Sequence, residues 1–555
     1  MTHYIYQKSK AVVTGISMGL MLTVSCFLAS CINDDGTYDY KDLAEVSFEN
    51  IPELTEVIAY ADHIKISPRF VSSSEGEIKS GDPNWTVQYR IGPKGMGVMD
   101  YNEETGEREV FRDITPASGF DLDIPADFST GMYLLWVTLT DNRNGSTTSR
   151  QYDISVSSST YEGWLVLCNE GSEERARLDM ITKLPGNRIV PIYDICKGLP
   201  THHHATCIQA WVQGQNPGDH VNLFTREGSY KLNSETLETE TALEFNSSYF
   251  LSNPGETIIA EQVFPGSSYT WQVRYKLCFG INGNAYIKDD AAGGSAYSWA
   301  VNTHKEGTAA EFKVAPACGF SWVRPWSNSY GKYVLYYDIT NGQFRLYDAV
   351  SERLQLNAIP EPGGSDVNLF SYAPGKDFVY MEGTRRSNGL VYTILQDKTT
   401  GKRSIYGINL GGSTYAQELY IPDVSAPDFE KATAFSFDSR FPLLFYSVAN
   451  KLYCYNLGTQ RTTEVPTGLG GDETITKLKF NLYSATDYSI LTNQTEEFMA
   501  QQYRLIVCSC GNDLSAGGKV TFFDVDGVNN TATAAEQYTG FGKIVDIVYR
   551  ERSSD

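Results

Sequence analysis

Residues 332–349 read KYVLYYDITNGQFRLYDA, two short aromatic runs at 333–338 and 344–348 around the polar triplet Thr340-Asn341-Gly342. An Asn-Gly step between apolar runs supplies the positive φ angles that a tight hairpin needs. Similar units begin near Trp164 (WLVLCNEG), Val221 (VNLFTREGSYKLN), Ala285 (AYIKDD, then AYSWAVN), Phe378 (FVYMEG), Leu443 (LLFYSVANKLYCYNL) and Tyr503 (YRLIVCSC, then KVTFFDVDG). Roughly seven units spaced about 46–65 residues apart fall in the range of propeller blades. In most units another strand precedes the hairpin, at 205–212, 319–323, 368–372, 432–437 and 476–480. The first unit has none in front of it, and the chain finishes with a spare one, KIVDIVYR at 543–550. The economical arrangement is circular: the last strand becomes the inner strand of the first blade and removes the exposed sheet edges at the seam. The pattern predicts a seven-bladed β-propeller over 162–551. The competing arrangement is two stacked sandwiches with a loose terminal strand.

Ahead of that region, 41–158 carries strand candidates at 46–48, 57–59, 63–70, 85–91, 133–140 and 149–156. The last two form a hairpin, YLLWVTLTDNRNGSTTSRQYDISV, whose faces alternate. Several short strands in about 110 residues suggest a β-sandwich of immunoglobulin type. The fold class is therefore all-β, with 155–161 (SVSSSTY) as a polar junction. Asp141 and Asn144 in the hairpin turn have the chemistry of calcium ligands, but the turn lacks the terminal glutamate of a calcium loop.

The first thirty residues set an address. Lys8 and Lys10 precede an apolar run over 11–27, a charged n-region and an h-region too short for a stable membrane span. The run ends in Leu28-Ala29-Ser30-Cys31, which resembles a bacterial lipobox, with Cys31 as the acylated residue and new N-terminus. Acyl chains contribute about 0.8 kcal/mol per buried methylene, so several of them hold a protein on a membrane. Residues 31–40 then read as a polar, acidic tether.

Composition agrees with a β protein outside the cytoplasm. The chain of 555 residues has 36 Tyr, 26 Phe and 48 Gly, and its net charge is −22. Aromatics and glycines at that density suit short strands and turns. The acidic balance repels phosphate backbones, so nucleic acid is not an expected partner. Setting aside Cys26 and Cys31 leaves eight cysteines with no C-x-x-C pair. Several lie in strand patterns, where they read as buried thiols packing as small hydrophobes.

Candidate chemistry is thin. His202, His203 and His204 precede an inner strand. Three imidazoles can ligate zinc or copper, but consecutive side chains in extended backbone diverge, so a loop that contacts ligand or partner is the reading adopted, with no metal. Trp211, Trp322 and Trp326 lie in or just after inner strands and are candidates for stacking on sugar rings or peptide side chains; packing between blades is the competing role for each. Arg324, Arg385 and Arg386 suit bidentate recognition of carboxylates. Neither a nucleophile elbow, a zinc-protease motif nor a phosphate loop is present, so no catalytic residues and no cofactor are expected.

The lipobox, the following Asp-Asp-Gly-x-Tyr-Asp-Tyr-Lys and the Tyr-x-x-x-x-Val-x-x-x-Asp hairpin with its glycine resemble the PKD-like family lipoproteins of Bacteroidota. The resemblance implies a PKD-like first domain, a larger β region, and partnership with SusC/SusD-type outer-membrane systems that import glycans or peptides. Acidic residues just after the lipid cysteine, here Asp34 and Asp35, resemble the surface-export signal of such lipoproteins, which implies a site facing the cell exterior. No catalytic residues come with the resemblance. The expected function is a non-catalytic surface lipoprotein that binds a peptide or oligosaccharide ligand or assists the transporter. The alternatives are a propeller hydrolase or lyase acting on glycans, and a pure scaffold.

Overall fold

The computed structural model describes residues 45–550, apart from 60, 96–99, 102–107, 117–118, 161, 185–187, 197, 212–219, 235, 240–243, 266–272, 290–295, 304–309, 322–332, 349–355, 363–367, 373–374, 412–414 and 481–502. The leader, Cys31 and the tether lie outside the described residues. Among those described, no helix is long and apolar enough to cross a membrane.

Residues 46–157 form a sandwich. A five-stranded sheet runs in the order Leu54–Ile58, Ser146–Ser157, Gly131–Asp141, Trp85–Pro93, Arg112–Ile114, beside smaller sheets of three and two strands. Alternate residues of the long hairpin face inward, and Tyr133, Leu135, Val137 and Leu139 join one core with Phe70, Tyr89 and Ile154. The single strand expected at 63–70 is two, His63–Ile66 and Arg69–Ser72, which pair in different sheets. Pro68 lies at the break: it donates no hydrogen bond and restricts the residue before it. The hairpin turn is built on Asp141, whose carboxylate accepts the Arg143 amide at 3.0 Å and its guanidinium at 2.8 Å.

From residue 163 onward the protein is a propeller-type ring. Its sheets follow one another in the chain, and the strands Ala205–Trp211, Ile258–Pro265, Val314–Phe320, Lys376–Gly383, Ala434–Phe437, Thr474–Phe480 and Lys543–Arg550 each form an inner edge. Each inner strand lies beside the next, and Thr474–Phe480 and Ala205–Trp211 both lie beside Lys543–Arg550, so the series returns to its start. The last strand pairs antiparallel with Gly163–Glu170, from Gly163 opposite Arg550 to Asn169 opposite Lys543. The stacked-sandwich arrangement with a loose terminal strand is thereby excluded.

The aromatic runs follow from this geometry. Successive strand side chains point to opposite faces, and each second strand is covered on both. In Tyr333–Asp338, Val334 and Tyr336 pack toward the preceding sheet, while Tyr333, Leu335 and Tyr337 pack toward the following one. Trp164, Val166 and Cys168 join the cluster under the last sheet, and Leu165 and Leu167 the cluster over the next. Asp338, fully buried, accepts the amides of Thr340 and Asn341 at 3.0 and 2.9 Å and the Arg345 guanidinium at 2.9 Å, and Gly342 takes the positive φ of 66° that closes the turn. All eight described cysteines are free, and seven are buried.

Two units are displaced from their expected positions. Phe378 belongs to an inner strand, with Leu390–Asp397 and Arg403–Asn409 as its hairpin. The stretch 368–372 instead edges the preceding sheet through a bridge from Ser371 to Gln343. In the third unit Val273–Gly280 pairs with Ala285–Asp289, and AYSWAVN forms no strand.

Arg550 is buried, and its guanidinium donates to the Thr160 carbonyl at 2.7 Å and to the Ser234 carbonyl. A chain ending at Gly542 loses this clasp and an inner strand together. Its ring should lose cooperative unfolding in calorimetry and become protease-sensitive, while the sandwich stays resistant.

Candidate functional site

The inner strands bring charged side chains into the centre of the ring. Asp546, on the last strand, is nearly buried, with Lys477 and Lys479 of the neighbouring inner strand beside it: the Nζ–Oδ1 separations are 3.4 and 3.1 Å. Its other oxygen accepts the Ile208 amide, on the next strand round, at 3.2 Å. Burial pushes this carboxyl up, but the two ammoniums and the amide outweigh burial and hold it at about 2. Both lysine side chains remain 35% exposed although they sit on the innermost strand, so they face the channel.

A second carboxylate lies on the strand Lys376–Gly383. Glu382 accepts the Phe437 amide at 2.6 Å, the Ser436 hydroxyl at 3.2 Å and the Tyr380 hydroxyl at 3.1 Å. Burial dominates here and raises the group to about 7, with Lys477 too weak a counterweight to reverse it.

The three histidines do not converge. His202 Nε2 meets the Tyr230 hydroxyl at 2.7 Å, His203 Nδ1 meets Glu227 at 3.2 Å, and His204 Nδ1 meets Glu174 at 2.7 Å. Glu174 also accepts Lys543 Nζ at 2.9 Å, so the loop pins the seam between the first two sheets and the last strand. Among the described residues no group of three or more His, Cys, Asp or Glu is placed to hold a metal.

Trp211 corrects the expectation of an exposed stacking platform. It is buried, its ring stacks on His220 at 3.8 Å, and Lys276 Nζ lies 3.8 Å from its centroid. Burial, reinforced by Lys276, Lys231 and Lys288, lowers His220 to about 3. Nearby Glu261, also buried, accepts Asn222 Nδ2 at 2.7 Å and the Tyr297 hydroxyl at 3.0 Å. Trp211 ends the strand that His202–His204 precede. Seven residues of strand span about 20 Å, so these candidates belong to opposite ends of the ring. Trp322, Arg324 and Trp326 lie outside the described residues.

Sequence reasoning passed over Asp546, Lys477, Lys479 and Glu382. A signal existed: Lys477-x-Lys479 places two charges on one face of a strand that carries no other charge, and Asp546 interrupts KIVDIVYR.

The class defined by these strands is an all-β protein with a propeller-type ring and a charged channel. No protein-family model and no curated protein matches the chain. Its architecture is similar to a quinonprotein alcohol dehydrogenase-like protein from Bacteroides thetaiotaomicron, with TM-score 0.40 and 11% identity, covering 92% of this chain and 99% of that one. A protein from Lactobacillus plantarum gives TM-score 0.40 and 10% identity over 70% and 100% of the two chains. A DUF4784 family protein from Bacteroides caccae gives 0.32 and 9% over 78% and 98%.

Because the folded carboxyl of Glu382 sits above its ordinary value of 4.5, at about 7, its contribution to stability is full below pH 4.5 and is lost as pH rises through 7. Glu382→Gln keeps an acceptor for the Phe437 amide and removes the titration. Melting curves from pH 5 to pH 8.5 should show the variant gaining on the native protein as pH rises; a pH-independent difference contradicts the assignment.

Proposed function

We propose that this chain is a non-catalytic lipoprotein of the outer membrane, anchored through Cys31 and facing the cell exterior. In this reading a PKD-like sandwich and a seven-bladed propeller serve a SusC/SusD-type importer as an accessory or ligand-binding component. The observation that carries the binding reading is the state of the channel carboxylates. Asp546 and Glu382 each accept a backbone amide from a neighbouring inner strand. Groups so engaged brace a frame and set a field in the channel, and the lysine donors left over can meet a ligand. The lipobox-like Leu28-Ala29-Ser30-Cys31 and the acidic residues after it support the address.

The test is made in cells. The native chain should incorporate an alkyne-tagged fatty acid, become accessible to protease added to intact cells, and co-purify with SusC/SusD-type subunits from detergent-solubilised outer membranes. Cys31→Ala should lose the label and the membrane fraction. Label-free native protein or purely internal protein overturns the address. Product from a mixed glycan and peptide panel, in excess of the protein added, overturns the non-catalytic assignment.

A further inference from the structure

The outer face of the five-stranded sheet in the sandwich carries a seat for one aromatic ring. Phe111 lies over Gly92, and a Cβ on that glycine would stand 2.4 Å from Phe111 Cδ1. A glycine inside a strand gives up its side chain and lets another group approach the backbone closely. One edge of the Phe111 ring takes that room, and the residue remains 52% exposed. Half-buried Trp136, on the strand Gly131–Asp141, meets it edge to face, with 5.7 Å between centroids and 72° between planes. The two rings make an aromatic corner open to solvent.

Cross-strand register sets what surrounds the corner. Asp113, Arg90, Trp136 and Gln151 stand opposite one another in one row of the sheet, and Gln88, Thr138 and Ser149 form the next row of the same face. Neighbours in a row have Cβ atoms about 4.5–5.5 Å apart, so one small ligand reaches several of them. Gln88, Arg90, Asp113 and Gln151 are all exposed.

Among the described residues, the charged side chains beside the corner are paired with one another. Arg90 Nε and Nη2 donate to the two Asp113 oxygens at 2.6 and 2.9 Å, and Lys94 Nζ donates to Asp153 at 2.9 Å. The Arg90 guanidinium also lies 5.9 Å from the Phe111 centroid. A fork held in this way is fixed in place and keeps donors to spare. The corner therefore sits among oriented donors and acceptors whose charges balance, which favours a neutral ligand. Size narrows the occupant further. An aromatic side chain buries about 150–250 Å², so two partly covered rings offer far less than the roughly 800 Å² that each side of a stable protein interface buries. One sugar ring matches the corner: its C–H face stacks on an aromatic ring, and each of its hydroxyls both donates and accepts.

We propose that this outer face of the sandwich binds a neutral saccharide, with one sugar ring stacked on Phe111 beside Trp136 and its hydroxyls hydrogen-bonded to Arg90, Asp113 and Gln151. The inference deepens the ligand-binding reading above and rests on it, choosing its oligosaccharide arm, and it uses none of the channel residues.

The test is calorimetric titration of the full chain, in a detergent without a sugar headgroup, with cellohexaose, xylohexaose, mannohexaose and maltohexaose, and with hexaalanine as control. At least one saccharide should bind, with an affinity that salt leaves unchanged, and hexaalanine should not. Phe111→Tyr should keep the affinity. Phe111→Leu, which leaves an apolar side chain over Gly92 but no ring, should weaken binding about tenfold. Gln151→Ala, at an exposed position, should weaken it as well, and melting temperatures report any cost of these changes to the sandwich. Absence of binding by all four saccharides, equal binding of hexaalanine, or a Phe111→Leu variant that binds like the native chain overturns the site. Self-association of the native chain in sedimentation that Phe111→Leu abolishes gives the face to a second copy and overturns it too. Saccharide binding that survives Phe111→Leu, or binding of hexaalanine alone, removes this face and leaves the ligand-binding reading in place.

Discussion

The inner edge of a ring of sheets is a row of strands that pair on one side only, and their free amides must find acceptors. In this protein the acceptors are side chains of the neighbouring inner strand. Asp546 takes the Ile208 amide, Gln262 Oε1 takes the Cys318 amide at 3.1 Å, and Glu382 takes the Phe437 amide. Between Ala205–Trp211 and Ile258–Pro265 the direction reverses, and Thr206 Oγ1 donates to the Ile259 carbonyl at 2.5 Å. Where Val314–Phe320 meets Lys376–Gly383, glycine replaces polar lacing. A Cβ on Gly383 would stand 3.2 Å from Gly319 Cα, and one on Gly319 would stand 2.4 Å from Val391 Cγ1. Polar lacing and close backbone approach are two solutions to one demand, and together they explain why polar residues interrupt inner strands that apolar packing alone would have kept hydrophobic.

Outside that inner circle the ring is held by ordinary burial. Each second strand serves two interfaces at once, so Leu443 and Phe445 join one cluster while Leu444 and Tyr446 join the next, and Leu505 and Val507 alternate with Ile506 and Cys508 in the same manner. Fully burying a large apolar side chain contributes about 1.5–3 kcal/mol. Sharing alternate residues between neighbours makes each sheet's burial conditional on the sheets on both sides. The sheets are therefore mutually dependent, unlike beads on a string, and the two terminal sheets need one another.

How far the sequence foretold this depends on which of these layers a residue belongs to. The two-sided second strands were legible, because a short, continuous apolar run bounded by polar turns suits a strand covered on both faces and little else; the runs at Tyr333, Leu443 and Trp164 mark them. The spare strand at 543–550 was legible by counting. The inner strands were harder. The strand at Ile258–Pro265 alternates weakly, and its Glu261 and Gln262 mimic a surface strand when burial is unknown. Phe378 looked like the start of a hairpin because an inner strand facing both a channel and a core can carry aromatics too. The charged channel was not legible as a site, since Lys477, Glu382 and Asp546 come together only through ring closure across more than 160 positions of sequence. Trp211 illustrates the opposite error: a tryptophan at a strand end has the chemistry of a platform, and only the stacked His220 and the Lys276 above its ring show that it is packing.

Closure and channel chemistry are consequently one event. Val166 pairs with Ile547, and bringing segments about 380 residues apart together costs on the order of 5 kcal/mol in loop entropy beyond a constant term. The closing strand offsets that cost with a full ladder, the Arg550 clasp and the Asp546 ion cluster. The last of these exists only when the strand docks, because Asp546 comes to Lys477 and Lys479 with it. An open ring would leave Lys477 and Lys479 without Asp546, and a closed ring fixes the two ammoniums and that carboxylate around one axis. The electrostatic character of the channel is set by whether the chain's final strand has docked.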